Sequence, residues 1–428
     1  MGFGKRWEFS RLLFLLIKIY LKNTDKYVPL PPKILIKMNE VYIISMARTP
    51  IGSMSGVLSG VSATELGAQT IKKALERAGI SGEQIEEVIM GNVIQANNGQ
   101  APARQAALAA GINVNATCTT INKVCASGMK AIILGAQSIM LGDKDIVVAG
   151  GMESMTNAPY MMASGRNGYR YGNGELVDAI VKDALQDPYS KLMMGASGDK
   201  CAANFNFSRE DQDAFAIESY KRANDAYASN AFADELFDVE VKGRGESTFI
   251  KEDEEYKKLR ADKVATLKPA FNKDGTVTAV NASKINDGAA AVVLMSKSKA
   301  DSLGLKPIAI IRGYADAEQA PDDFTTSPAK AMPLAAKKAG LEMSQLEYFE
   351  INEAFANVTM ANTKLLGLDA NKVNVFGGAV ALGHPVGASG ARIICTLISV
   401  LKNKGAKYGA AGICNGGGGA SAIVIEKV

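Results

Sequence analysis

From residue 40 onward the chain moves between two rhythms. Short, continuous apolar runs give way to longer stretches whose apolar residues recur every three or four positions. "EVYIISMARTPIG", from Glu40, is an apolar run that stops at a turn. "ATELGAQTIKKALERAGI", from Ala63, has the helical period and a glycine stop. "IEEVIMGNVI" reads as a second strand. In "VCASGMKAIILGAQSIMLGD", Met129, Ile132, Ile133, Ala136, Ile139 and Met140 share one helical face. "KDIVVAGGMES" is apolar without alternation, as a strand covered on both faces is. Strand and helix in turn predict an α/β sheet with helices on both sides.

Between about Ala158 and Val280 the rhythm lapses into Gly-, Tyr- and charge-rich sequence such as "GRNGYRYGNG" and "KEDEEYKKLR". One convincing helix stands in it, "REDQDAFAIESYKRANDAYA". A loop region this long predicts a lid or a ligand-holding insertion. After Ala282 the rhythm returns and repeats itself. "PIAIIRGYADA" resembles "VYIISMARTPI", "PLAAKKAGL" echoes "IKKALERAGI", and "YGAAGICNGGGGASAIVIEKV" mirrors "DIVVAGGMESM". The two halves read as a duplicated unit. Facing halves make a cleft lined by equivalent loops. The expected division is 38–157 for the first half, 158–282 for the insertion and 283–428 for the second half, with 283–306 completing the first.

A chain of 428 residues is too long for one comfortable core, which agrees with this division. The formal charge of +4 is concentrated at one end. Residues 1–37 carry +6, which leaves −2 for the body and no electrostatic case for nucleic acid. Those 37 residues hold the single tryptophan, Trp7, and an apolar run from Leu12 to Leu21 broken by Lys18. The run is shorter than the roughly 20 residues of a membrane span. The segment is either a targeting leader or an over-long start ahead of Met38. It has few Ser and Arg and no small-residue cleavage site. A leader would make the protein mitochondrial; otherwise it is cytoplasmic.

Five cysteines at wide, irregular spacing argue against a disulfide framework or a zinc site and fit a reducing compartment. No strand–GxGxxG–helix unit supports a dinucleotide. The candidate chemistry lies in four strand-end loops: "NKVCASG", "NEAF", "GHPVGASG" and "CNGGGGAS". Cys125 precedes a helix, where unpaired N–H groups favour thiolate; the alternative is an inert buried thiol. The small residues Ala126, Ser127 and Gly128 would let a substrate approach the backbone. Cys414 precedes Asn415 and four glycines, which would bring backbone N–H groups close to a ligand or make a flexible turn. His384, the only histidine, could accept a thiol proton or be a satisfied structural residue. Asn352 could orient a water or donate to an oxyanion; Glu353 could orient the site or merely hold loops together.

At these residues the sequence resembles a known family. "NKVCASGMKAI", "AGGMESM", "NASKINDGAAA", "NEAFA", "GGAVALGHPVGASGARI" and "CNGGGGASA" together look like the thiolases, and within them the acetyl-CoA acetyltransferases. The likeness runs from Met38 to Val428. It implies a duplicated thiolase fold, two similar α/β halves packed as αβαβα layers with a long loop insertion. It implies reversible Claisen condensation of two acetyl-CoA to acetoacetyl-CoA and CoA through an acetyl-cysteine. Cys125 would be the nucleophile, His384 its base, and Cys414 the base toward the second acetyl-CoA. One oxyanion hole would be His384 with a water held by Asn352; the other, the N–H groups of Cys125 and Gly416. CoA would lie near Met194 and Ser283, with Lys263 and the run Lys257–Arg260 toward its nucleotide end. In potassium-activated members a cation sits by Tyr220 and the carbonyls near Ala279, Val280, Ala282 and Val380, so potassium is a candidate; no tightly bound cofactor is expected. A homo-oligomer, tetramer or dimer, is implied. Met193 stands where many acetyl-CoA members have a histidine, which leaves open a longer-chain 3-ketoacyl-CoA thiolase. A non-catalytic CoA- or lipid-binding protein is the reading of another class, and the retention of Cys125, Asn352, His384 and Cys414 together argues against it.

Overall fold

The computed structural model describes residues 38–428 apart from Arg244, so the readings made for residues 1–37 fall outside the described residues. The first half contains β1 (Val41–Arg48), α1 (Ala63–Ala78), β2 (Glu87–Gly91), α2 (Pro102–Ala109), β3 (Thr117–Ile121), α3 (Ser127–Met140) and β4 (Ile146–Ser154). The insertion holds α4 (Met194–Phe205) and α5 (Arg209–Ala228). Then follow β5 (Asn286–Ser296), α6 (Lys297–Leu303), β6 (Ala309–Glu318), α7 (Pro328–Lys338), β7 (Tyr348–Ile351), α8 (Ala356–Leu366), α9 (Val386–Lys404), β8 (Tyr408–Asn415) and β9 (Gly419–Lys427).

The apolar runs form strands because both of their faces are covered. Every residue of β1, β4 and β5 is buried. α1 starts at a reciprocal cap between Ser62 and Glu65 and stops at left-handed Gly79, as its sequence predicts. The face of α3 named above is buried at Met129, Ile132, Ile133, Ala136 and Ile139; Met140 is partly exposed.

The long strands make one mixed sheet in the order β7-β8-β9-β6-β1-β5-β4-β2-β3. Apart from β3 at the outer edge, the order is symmetric about the β1–β6 contact, where Val41–Ile43 pair with Ala309–Ile311. Moving outward from β1, the pairings are antiparallel, antiparallel and parallel. Moving outward from β6 they are the same. β1 and β6 even carry a register shift at matching places, after Ile43 and after Ile311. The duplicated pattern of the sequence is thus a duplicated topology, and β5 lies inside the first half although it follows the insertion.

α3 and α9 pack against each other and against the sheet, while α1 and α7 cover the first and second halves on the other side. The layers therefore run helix, half-sheet, helix pair, half-sheet, helix, the αβαβα arrangement, with the two halves of the one sheet on either side of the α3–α9 pair. The crossing of α3 and α9 is backbone to backbone. A Cβ on Gly128 would lie 2.8 Å from the Ala391 nitrogen, and one on Gly390 would lie 2.5 Å from the Met129 nitrogen. Only glycine permits that approach.

Two features depart from expectation. The insertion has a second helix, α4, whose period is masked by Gly195 and Gly198. A Cβ on Gly195 would meet the Phe271 ring at 2.1 Å, so aromatic packing, rather than helix propensity, selects the residue. The four-glycine run is neither strand nor loose loop. It is the tight turn Gly416–Gly418 of the β8–β9 hairpin, with Gly417 and Gly418 at positive φ.

Candidate active site

The four loops converge where β3, β7 and β8 end and α9 begins. The first carries Cys125 between β3 and α3. It is pinned from both sides: the Val124 amide donates to Asn122 Oδ1 at 2.9 Å, and the Lys123 amide to Ser127 Oγ at 2.8 Å. Ser127 Oγ in turn donates to the Val124 carbonyl at 2.7 Å. Val124 is held at φ +47, an outlier for a β-branched residue. Strain of this kind persists only where the surroundings over-determine it, and here it sits one residue before the thiol.

The thiol is not pre-ionised. Burial pushes Cys125 up to about 11, against the lowering expected at a helix start. The helix begins two residues later and its first amides are engaged by the loop, so desolvation outweighs the dipole. The amides of Gly416 and of Cys125 itself face the sulfur and favour its charged form. Cys125 keeps partial solvent access, whereas Cys414 is fully buried. Cys414 is also held well above its usual value, first by burial and then by the charge of Cys125. The two thiols therefore share one site. Cys414 packs among Val277, Ala282, Ala354, Phe355 and Val358, with Met194 alongside.

A buried thiol needs a base, and His384 is equipped as one. Its backbone amide donates to Asn286 Oδ1 at 2.9 Å. Gly383, at φ +112, lets the chain pass Asn286; a Cβ there would lie 2.6 Å from its Cγ. His384 Nδ1 lies 2.5 Å from Ser389 Oγ, whose hydroxyl donates to the Pro385 carbonyl at 3.0 Å. With that hydroxyl proton committed, Ser389 accepts from Nδ1–H, and Nε2 is left as the basic nitrogen. Nε2 is buried and has no protein partner, as do both side-chain polar atoms of Asn352. Buried polar atoms without partners are rare, and a pair of such side chains on converging loops suits a substrate oxygen or a bridging water.

Burial, and then the charge of Arg392, lower His384 from 6.5 to about 3. The ring is therefore neutral, and able to accept a proton, throughout the neutral range. The expected pH profile of kcat/KM has no acid-side inflection near 6.5; a break there that disappears in a His384→Gln background would contradict the assignment. The linkage has a definite sign. The folded state binds fewer protons than the unfolded state between about 3 and 6.5, so stability present above 6.5 is lost as pH falls through that window.

His384 opens onto a cleft of about 640 Å³. Met193, Met194, Ser283, Lys284 and Phe355 line it. Of the predicted basic run only Lys258 reaches this wall. Tyr220 is buried in the core beneath it. Arg260 and Lys263 lie outside the lining, on the segment around Ala261–Thr266. The basic run is largely neutralised by its own acids: Lys257 pairs with Glu252, Lys258 with Glu254 at 2.8 Å and Arg260 with Asp262 at 3.4 Å. Glu353 holds loops together. It accepts from Asn374 Nδ2 at 2.9 Å, Ser219 Oγ at 2.8 Å and the Val380 amide at 3.0 Å.

The small residues also have a different use from the one expected. Ser127 caps the Cys125 loop, and Gly128, Gly387 and Gly390 serve close packing of α3, α9 and β4 rather than substrate access. Only Gly416 among them presents its amide to the Cys125 sulfur.

The potassium reading does not fit the residues present. The carbonyls of Val280, Ala282 and Val380 do converge beside Tyr220, but they accept hydrogen bonds from Lys284 Nζ at 3.2, 2.8 and 3.0 Å. No group of three or more His, Cys, Asp or Glu suited to a metal occurs among the described residues.

Three residues that hold these loops in place carry no signal in the sequence. Ser389 follows His384 by five positions inside a helix and looks like one more small residue. Lys284 stands inside "NASKINDGAAA", where nothing in the neighbouring residue types marks it. Glu153, raised to about 7 by burial, receives Asn92 Nδ2 at 2.7 Å and the amides of Val93, Ile94 and Gly387. It fixes the start of α9, and so the His384 loop, to the first half.

Comparison with known proteins places these loops in a wider set. The family described as thiolase, N-terminal domain, matches residues 41–298, and thiolase, C-terminal domain, matches 305–427. A probable acetyl-CoA acetyltransferase of Dictyostelium discoideum is 56% identical over 91% of this chain and 95% of its own. The acetyl-CoA acetyltransferase of Schizosaccharomyces pombe is 56% identical over 91% of this chain and 99% of its own. Among solved structures, the Acat5 thiolase of Ascaris suum in complex with coenzyme A superposes with a TM-score of 0.87 at 48% identity, covering 91% of this chain and 100% of that one. The Bacillus anthracis acetyl-CoA acetyltransferase gives 0.89 at 40% identity over 92% of this chain and 100% of its own.

Proposed function

The chain belongs to the thiolase family, and from that premise we infer that it is an acetyl-CoA C-acetyltransferase, which joins two acetyl-CoA into acetoacetyl-CoA and CoA and runs the reverse thiolysis. Coenzyme A thioesters are its substrates. The observation that carries the residue assignment is the convergence on Cys125: two backbone amides face its sulfur, and a neutral histidine stands in the adjoining cleft.

In the first half-reaction Cys125 gives its proton to His384 Nε2 and attacks the thioester carbon. The negative charge on the thioester oxygen is met by donors fixed in advance, which act most strongly in a site that excludes water. CoA leaves as the thiol, taking the proton from His384, and an acetyl-cysteine remains. In the second, Cys414 as thiolate removes a proton from the methyl carbon of another acetyl-CoA. The carbanion attacks the acetyl-cysteine carbonyl, and Cys125 departs as the thiolate and takes up the proton that Cys414 removed, which leaves Cys125 a thiol and Cys414 a thiolate for the next turnover. Its raised proton affinity suits Cys414 to this step, because the carbon acid is weak and needs a strong base. In thiolysis the same group returns the proton to the acetyl-CoA carbanion. His384 with a water on Asn352 would serve one developing oxyanion, and the amides of Cys125 and Gly416 the other.

The test is labelling. Incubation with acetyl-CoA should leave one acetyl group per chain, and peptide mass spectrometry should find it on Cys125. Cys395, fully buried within α9, is the control thiol. A label that survives Cys125→Ala and disappears in Cys395→Ala would overturn the assignment.

The cleft wall raises a second question, that of chain length. Met54, Met155, Met193 and Met194 all line it, a soft apolar surface, with Met193 where the resemblance leads one to expect a histidine. The acetyl reading expects thiolysis of acetoacetyl-CoA to exceed that of longer 3-ketoacyl-CoAs. A strong preference for long chains would favour the β-oxidation alternative.

A further inference from the structure

Three carbonyl oxygens from two separate segments point at one spot beside the cleft: those of Val280, Ala282 and Val380. Oxygens that converge in this way repel one another unless a cation lies between them. The cation is supplied from within. Lys284 curls back so that its ammonium meets all three, at 2.8–3.2 Å, which uses its full complement of three N–H donors. The ring of Tyr220 lies 5.4 Å from the nitrogen and adds its π-face. Burial lowers the ammonium from 10.5 to about 8, against which Glu255 and Glu353 favour the charged form, so it remains largely protonated at neutral pH.

The two segments matter because of what they carry. Ala282 precedes Ser283, on the cleft wall, and pairs with Phe355. Val380 belongs to the helical turn Ala379–Leu382, which leads directly into Gly383 and His384. A cation held between them fixes the cleft wall at Ser283 against the His384 loop.

We infer that Lys284 is a tethered cation: its ammonium fills the cradle that a free monovalent ion would otherwise take, it acts as a positioning residue for the His384 loop, and the protein is consequently indifferent to potassium. Removing the ammonium should turn the same cradle into a site that accepts a small cation from solution. The inference uses the acyltransfer reading only for its activity readout, since thermal melting reports the cradle without it.

The experiment compares wild-type protein with Lys284→Ala and Lys284→Ser in buffers of equal ionic strength containing potassium, sodium, ethylammonium or tetramethylammonium chloride. The last is too large for the cradle. Wild-type protein should show the same melting temperature and kcat/KM in potassium, sodium and tetramethylammonium, within about twofold for the rate. In tetramethylammonium the variants should melt lower and lose at least about tenfold in kcat/KM, mainly through KM for acetyl-CoA. Potassium or ethylammonium should restore both quantities in a saturable way. Saturable stimulation of wild-type protein by potassium would overturn the inference. So would folded variants that lose nothing, folded variants that no cation rescues, or failure of both variants to fold even in saturating potassium.

Discussion

Cys414→Ala should accept an acetyl group on Cys125 at close to the wild-type rate and then fail to condense it, with the overall rate falling about 10²–10⁴-fold. The expectation follows from a division of labour between two thiols in one site. Cys125 has partial solvent access and two amides aimed at its sulfur, so it is the thiol that can reach a thioester. Cys414 is fully buried among apolar side chains, and both its surroundings and its neighbour's charge oppose ionisation. Alanine removes the sulfur without adding volume, so the loops need not move. The measurement is a rapid-quench time course with acetyl-CoA. It should show one equivalent of CoA released and one acetyl group retained, with no acetoacetyl-CoA following. Normal condensation by Cys414→Ala would remove its role as the base. Loss of the first burst as well, in a protein that still melts as wild type does, would mean that the two thiols cannot be separated into two steps.

What could be read in advance depended on how each feature is encoded. The strands and helices of the two halves are legible because burial on one or two faces imposes a period, and β1, α1, α3 and β4 appear where that period places them. The duplication is legible because β1 and β6 retain the same apolar run before the same register shift. α4 is not legible, because its glycines answer to Phe271 and Phe355, which are distant in sequence. The same distinction governs the site. Cys125, His384, Asn352 and Cys414 could be singled out by residue type and loop context. Their ionisation could not, because it depends on burial that only the assembled fold creates. Position before a helix suggested a lowered thiol, and desolvation reversed the sign. Lys284 is the sharpest instance. Its partners are backbone carbonyls two, four and 96 residues away, and carbonyls leave no trace in a sequence.

Arg48→Met should destabilise the protein by about 3–5 kcal/mol at neutral pH, the range for breaking a buried ion pair from one side. Arg48 is fully buried at the end of β1. Its Nε donates to Glu235 at 2.5 Å, and its two terminal nitrogens reach Asp253 at 2.7 and 3.0 Å, while the guanidinium lies 5.0 Å from the centre of the Phe232 ring. Burial opposes its charge, but the two carboxylates outweigh that and hold its pKa well above the usual value. Glu235 also accepts from Thr396 at 3.1 Å and Ser399 at 2.8 Å on α9, and Asp253 accepts from the Ile51 amide at 2.7 Å. One arginine thus joins the first half, the insertion and the helix that follows His384. Methionine retains most of the volume, so the loss measures charge rather than a cavity. It leaves two carboxylates without a cation, and these should take up protons more readily than in the unfolded chain. Stability that depends on such protons is lost as pH rises, so the deficit should be smaller at pH 5 than at pH 8. Urea midpoints at the two pH values measure it. Lys221→Met, which removes an exposed pair with Asp225, is the comparison and should leave the midpoint where it was. Equal, small shifts for the two variants would mean that the hydroxyls and amides around Glu235 and Asp253 hold those carboxylates without Arg48, and that the insertion is joined to the core by packing alone.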